Sequence, residues 1–141
     1  MITVQDLLTS SGKYPERANS HELTQEFLNN ADTLINTINS FFQDLGIDTP
    51  KISSGFRPSD VNAKIKNAAK QSLHQSCRAV DFDDVSGELD KLIVSRDDLK
   101  KKYSIWQEAC GSSSLYPDKT PSWCHLDNKD RGHRADNIFN P

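Results

Sequence analysis

The stretch "SLHQSCRAVDFDD", Ser72 to Asp84, decides how this chain is read. Its second half, "RAVDFD", alternates apolar and polar residues, which is the period of a strand. His74 falls in a loop ahead of that strand, and Asp81 lies within it, seven positions on. A gap of six residues can fold back so that both side chains reach one ion. Two readings stand at this point: a routine loop entering a strand, or half of a metal site.

Downstream, "WCHLD" (Trp123 to Asp127) reads as a second strand. Trp123 and His125 then share one face while Cys124 points the other way, so Cys124 is a poor ligand for an ion held by His125. Between the two strands, "SGELDKLIVSRDDLKKKYSIWQE" is mostly helical. Ser95 with Asp98 resembles a capping box, which places a break near residue 95. "ACGSSSLYPDKTPS" carries turn residues throughout and reads as a loop. The tail from Asn128 to Pro141 is polar and irregular.

Upstream, "PKISSGF" is short and β-prone, and Pro58 interrupts it. "SDVNAKIKNAAKQ" reads as a helix capped by Ser59. A short helix over "TVQDLLTS", with Thr3 as its cap, precedes a loop, "SGKYPERAN". A long helix then runs from a cap at Ser20 to Leu45. Leu23, Phe27, Ala31, Leu34, Ile35, Ile38, Phe41, Phe42 and Leu45 recur at threes and fours, forming one broad apolar face. Gly46 stops that helix. Helices and strands follow no regular βαβ alternation. The expectation is one α+β domain over residues 1–141, a small antiparallel sheet packed with helices, with a helical N-terminal part to about residue 46.

The chain has 141 residues, 35% hydrophobic and 26% charged, with a net charge of −3. This suits one core. No dense basic stripe points to a nucleic-acid partner. "DDLKKKY" is an ordinary solvated helix face. No apolar run approaches a membrane span. "MITVQDLLTSSGKYPER" lacks the pattern of a signal peptide, so export by the ordinary secretory route is not expected. Three cysteines, Cys77, Cys110 and Cys124, argue against a complete disulfide framework.

A hydrolytic zinc site takes three protein ligands and leaves a position open. His74, Asp81 and His125 offer suitable donors. On the residues alone, His125 is equally a hydrogen-bonded, partly buried histidine, and Asp81 a strand-end cap.

Three motifs in order add to this. "SGFRPSDVN" (Ser54 to Asn62), "SLHQSCRAVD" (Ser72 to Asp81) and "WCHLD" resemble the ordered motifs of the zinc D-alanyl-D-alanine peptidases and phage endolysins. That family shares its fold with the Hedgehog signalling domain. The ending "GHRADNIFNP" resembles the closing segment of phage members. The resemblance implies a Hedgehog/DD-peptidase-like α+β fold, with His74, Asp81 and His125 as zinc (Zn2+) ligands. It implies that Arg57 contacts a substrate carbonyl or carboxylate. It makes Glu108 of "SIWQE" the general base, with Asp118 in reserve. His21 and His133 receive no role and read as surface residues.

The chain departs from the family pattern in three respects, one being the long stretch between Glu108 and His125. Cys77 stands where the family has a glycine, which implies a differently shaped loop. Ser122 stands three residues before His125, where some relatives keep a carboxylate. The function implied is a zinc metallopeptidase cutting a stem-peptide bond of bacterial peptidoglycan. It would be a phage endolysin, in the host cytoplasm before release, or a tail-associated enzyme of the virion, among other virion proteins. The alternative is a structural tail protein that keeps the peptidase fold with reduced or no activity.

Overall fold

The computed structural model describes residues 1–112 and 117–141. Helix α1 spans Val4–Thr9 and opens with a reciprocal cap. The Thr3 hydroxyl accepts from the Asp6 amide at 3.1 Å, and the Asp6 carboxylate accepts from the Thr3 amide at 2.7 Å. The loop expected next contains a 3₁₀ turn, Pro15–Asn19.

Helix α2 spans Gln25–Leu45. Thr24, not Ser20, is its cap: the Thr24 hydroxyl accepts from the Phe27 amide at 3.2 Å. Ser20 instead accepts from the Glu22 amide, a local bond that holds the preceding segment in a turn. Gly46 ends the helix at φ 85°, in the left-handed region. The stripe Ala31, Leu34, Ile35, Ile38, Phe41, Phe42 and Leu45 is buried along the helix.

Five strands form the sheet: β1 Ile52–Ser54, β2 Ala79–Asp83, β3 Trp106–Glu108, β4 Trp123–Asp127 and β5 Ile138–Phe139. Their spatial order is β1-β2-β4-β3-β5. The first three pairings are antiparallel, and β3 pairs with β5 in parallel. Val80, Phe82, Cys124 and Leu126 belong to one apolar cluster with the α2 stripe. The Phe42 and Phe82 rings meet edge-on at 5.3 Å. Because side chains alternate along a strand, Asp81 and His125 are turned to the other face.

Several elements differ from expectation. Helix α3 spans only Ser59–Ala63. Ser59 is its first residue rather than its cap, and its amide donates to the Glu22 carboxylate at 3.1 Å. The chain then turns, with the Asn62 amide group donating to the Ala69 carbonyl. The break near residue 95 separates α4, Glu88–Val94, from α5, Asp97–Lys102. There is no Ser95–Asp98 capping box, because the Ser95 hydroxyl donates back to the Leu92 carbonyl at 2.7 Å. Glu108 lies on strand β3, not at a helix end. The tail is not wholly irregular: the Ala109 amide donates to the Phe139 carbonyl at 2.8 Å, which fixes β5. Within the expected loop from Ala109 to Ser122, residues 113–116 lie outside the described residues.

One close approach ties the helical part to the sheet. The Phe56 amide donates to the Leu7 carbonyl at 2.8 Å, and the Gly55 amide donates to the Ser10 hydroxyl at 3.1 Å. A β-carbon on Gly55 would lie 2.0 Å from the Leu7 carbonyl oxygen. Backbone stands on both sides of that clash, so neither side can yield by a rotamer change. Gly55→Ala is therefore expected to lower unfolding free energy by about 2 kcal/mol or more. Urea denaturation followed by circular dichroism measures it, and an unchanged midpoint would contradict the packing described.

Candidate metal centre

The register of β2 against β4 builds the site. Asp81 is paired directly with His125 across the two strands. Directly opposed residues of an antiparallel pair present their side chains together on one face. The His125 Nδ1 lies 2.7 Å from Asp81 Oδ1.

His74 reaches the same point from outside the sheet. It sits in a 3₁₀ turn, Leu73–Ser76, rather than in an open loop. Ser72 and Gln75 cap that turn reciprocally, and the Ser72 hydroxyl accepts from the His74 amide at 3.2 Å. The turn ends at Cys77 with φ 60°. The substitution of the family glycine thus leaves the backbone in the left-handed conformation that glycine favours. The cost for an L residue there is about 1–2 kcal/mol. The fully buried Cys77 side chain, part of the apolar core, offsets it.

His74 Nδ1 is 2.8 Å from the Gly55 carbonyl oxygen. A carbonyl only accepts, so Nδ1 carries the hydrogen and Nε2 faces the cluster. His74 Nε2 lies 3.3 Å from Asp81 Oδ2. The His74 and His125 ring centroids are 5.2 Å apart. One donor atom from each of His74, Asp81 and His125 falls within 4.8 Å of the others. Two imidazoles and one carboxylate form a ligand set suited to zinc.

The electrostatics follow from burial and proximity. Burial lowers the His74 imidazole, and the neighbouring Asp81 carboxylate only partly opposes this, so its neutral form is favoured. For His125, burial acts downward, but the Asp81 and Asp127 carboxylates outweigh it and lift the imidazole to about 10. Burial raises Asp81, yet the two imidazoles prevail and hold its carboxyl well below the usual range.

Glu108 stands beside the cluster. Trp106 pairs with Asp127 and Gln107 with Leu126, and the next step of that register sets Glu108 next to His125. Glu108 Oε2 is 4.0 Å from His125 Nδ1. Burial pushes the Glu108 carboxyl up, His125 draws it back in part, and Asp81 and Asp127 add to the rise. Arg57 borders the same face. Its amide donates to the His74 carbonyl at 3.2 Å, and its Nη2 donates to the Ser72 hydroxyl at 3.2 Å. Its Nε is buried and, among the described residues, has no hydrogen-bond partner.

Asp118 is placed elsewhere. Its carboxylate accepts from the Thr120 amide at 3.0 Å, and it lines a polar pocket with Glu88, Asp90 and Thr120 that none of His74, Asp81 and His125 lines. His21 and His133 are exposed. Cys124 is buried on the core side of β4. Among the described residues, Cys77, Cys110 and Cys124 form no disulfide. Sequence reasoning passed over Asp127, whose Oδ2 lies 3.1 Å from His125 Nε2. The signal was present in "HLD", because residues two apart on a strand share a face.

The fold and the site together define an α+β domain that gathers side chains able to ligate a metal on the open face of a small sheet. The chain belongs to the Peptidase M15 family, whose model matches residues 5–106. That match includes Arg57, His74 and Asp81, and it ends before Glu108 and His125. No curated protein matches the chain, and no solved structure does. No described helix is long and apolar enough to cross a membrane.

Ser72 serves twice, as the cap of the His74 turn and as the anchor of Arg57. Ser72→Ala is expected to lower stability by about 1 kcal/mol, the usual worth of such a cap. Chemical denaturation measures this, and an unaltered free energy would remove Ser72 from the frame of the site.

Proposed function

We propose that this protein is a zinc-dependent peptidase that hydrolyses a peptide bond in the stem peptides of bacterial peptidoglycan. The observation that carries the proposal is the convergence of His74, Asp81 and His125 with Glu108 alongside. In this reading the three residues hold the ion, and the chain works as one domain. Leu7, Phe41 and Phe82 belonging to one apolar cluster supports that unity.

The ion, when bound, supplies Lewis acidity that polarises the scissile carbonyl and acidifies water. The remaining work falls to the chain's own side chains. Glu108 takes the proton of the attacking water and returns it to the leaving amine. Arg57 donates to the substrate oxygen that gains charge, or to a substrate carboxylate.

The resemblance of "GHRADNIFNP" to phage members supports a phage or prophage setting, as an endolysin or a tail-associated enzyme. The alternative, a structural tail protein, draws on Cys77 in place of the family glycine and on Ser122 where some relatives keep a carboxylate. The left-handed backbone at Cys77 and the position of Glu108 favour the enzyme instead.

Two measurements test the proposal. Elemental analysis should find about one zinc per chain in the parent, lost in His74→Ala. Zymography on purified cell walls should show a cleared zone that a chelator abolishes. Glu108→Gln should retain zinc while activity falls by about 10²–10⁴-fold. A parent without metal would overturn the site assignment. Bound zinc with no zone would return the structural reading.

A further inference from the structure

We infer that Asp127, clamped by Arg131, is a positioning residue that fixes the ring orientation and tautomer of His125, so that Nδ1 is free to bind the metal. The inference rests on the metal-site reading above and adds to it a residue pair that the ligand set does not contain.

Asp127 lies on β4 two residues beyond His125 and is 1% exposed. Its Oδ2 is 3.1 Å from His125 Nε2, on the side of the ring away from Asp81. A carboxylate there accepts a hydrogen from Nε2, which places the lone pair of the neutral ring on Nδ1, facing Asp81 and His74. Carboxylates that hold the outer nitrogen of a metal-bound histidine act in this manner.

Asp127 is itself held from two directions. Arg131 Nη1 donates to Oδ1 at 2.6 Å, and Nη2 donates to Oδ2 at 2.9 Å. The Lys129 amide adds a further bond to Oδ1 at 3.1 Å. The Arg131 guanidinium lies 3.7 Å from the centroid of the Phe139 ring, and the Phe139 ring packs edge-on against His125 at 5.8 Å. A two-pronged arginine pair fixes a carboxylate in direction as well as in place. Strand β5, which carries Phe139, thus contributes to the site without offering a ligand.

Asp127→Asn is a sharp test because the direction of the amide is determined. Oδ1 receives two fixed donors, Arg131 Nη1 and the Lys129 amide, against one, Arg131 Nη2, on Oδ2, so the amide oxygen takes the Oδ1 position. The NH₂ group then faces His125 Nε2 and favours the tautomer with hydrogen on Nδ1, the wrong one for binding. Zinc affinity, measured by competition with a chromophoric chelator, is expected to fall about 10–100-fold. Arg131→Ala, which leaves the carboxylate in place but unclamped, should fall less. Long-range ¹H–¹⁵N spectra of the zinc-loaded parent should show hydrogen on Nε2 of His125, and Asp127→Asn should alter that signal. Zinc binding by Asp127→Asn within twofold of the parent, with unchanged ring signals, would overturn the inference alone. A parent that binds no zinc would overturn the metal site and this inference with it. If Asp127→Asn does not fold, Arg131→Ala decides: weakened zinc binding supports the clamp, and undiminished binding overturns it.

Discussion

The antiparallel register that sets Asp81 against His125 is the constraint on which the site depends. A slip of one residue between β2 and β4 would turn every side chain of the moved strand to the opposite face. Asp81 would then enter the apolar layer under α2, and Phe82 would face water. The register is held because Val80, Phe82, Cys124 and Leu126 fit the stripe presented by α2. The long helix contributes no side chain to the chemistry, but it decides which face of the sheet is dry. The open face is then left to the residues that carry charge.

The third member of the cluster arrives by a different route, and glycine makes that route possible. His74 is not on the sheet, so strand register cannot aim it. Its ring is aimed by the Gly55 carbonyl, and Gly55 is pressed against Leu7 too closely for any β-carbon. The chain from α1 through β1 to the His74 turn is therefore one braced unit. The left-handed residue at Cys77 closes the turn and feeds directly into β2. Strain at that residue is tolerated because its side chain is buried in the core.

How much of this was legible in the sequence follows from which forces were local. Helix α2, its end at Gly46, and strands β2 and β4 have strong periodicity or a glycine stop, and the residues alone show them. The fold class rests on those. Weak or competing local signals account for the differences. Ser20 and Thr24 are both good caps, and only the turn made by Ser20 separates them. Helix α3 has a helical composition, but tertiary bonds from Asn62 redirect the chain after Ala63. Glu108 follows a helical run, and its strand character comes from pairing with Phe139 of β5 rather than from its own neighbours. Strand β5 is two residues long and has no period to read. For the site, residue type and motif order pointed to His74, Asp81, His125, Glu108 and Arg57. The contact of Asp127 with His125 needed the strand to be recognised as presenting both residues on one side.

The charge balance on the open face gives a physical reason for the arrangement. Three carboxylates, Asp81, Glu108 and Asp127, are gathered near His125, and like charges so close are costly unless each is answered. Asp127 is answered by Arg131 in a two-pronged pair. Asp81 is answered by the imidazoles on either side. Glu108 is answered less fully: His125 draws it down from 4.0 Å, and its pKa is still raised. The three groups therefore differ in proton affinity because their neighbours differ, not because of their own chemistry. Under the proposed function, the carboxylate paired with arginine orients, the one flanked by imidazoles ligates, and the one left partly uncompensated exchanges the proton. That division of labour, set by the elements bordering the face, is the one the proposed peptidase calls for.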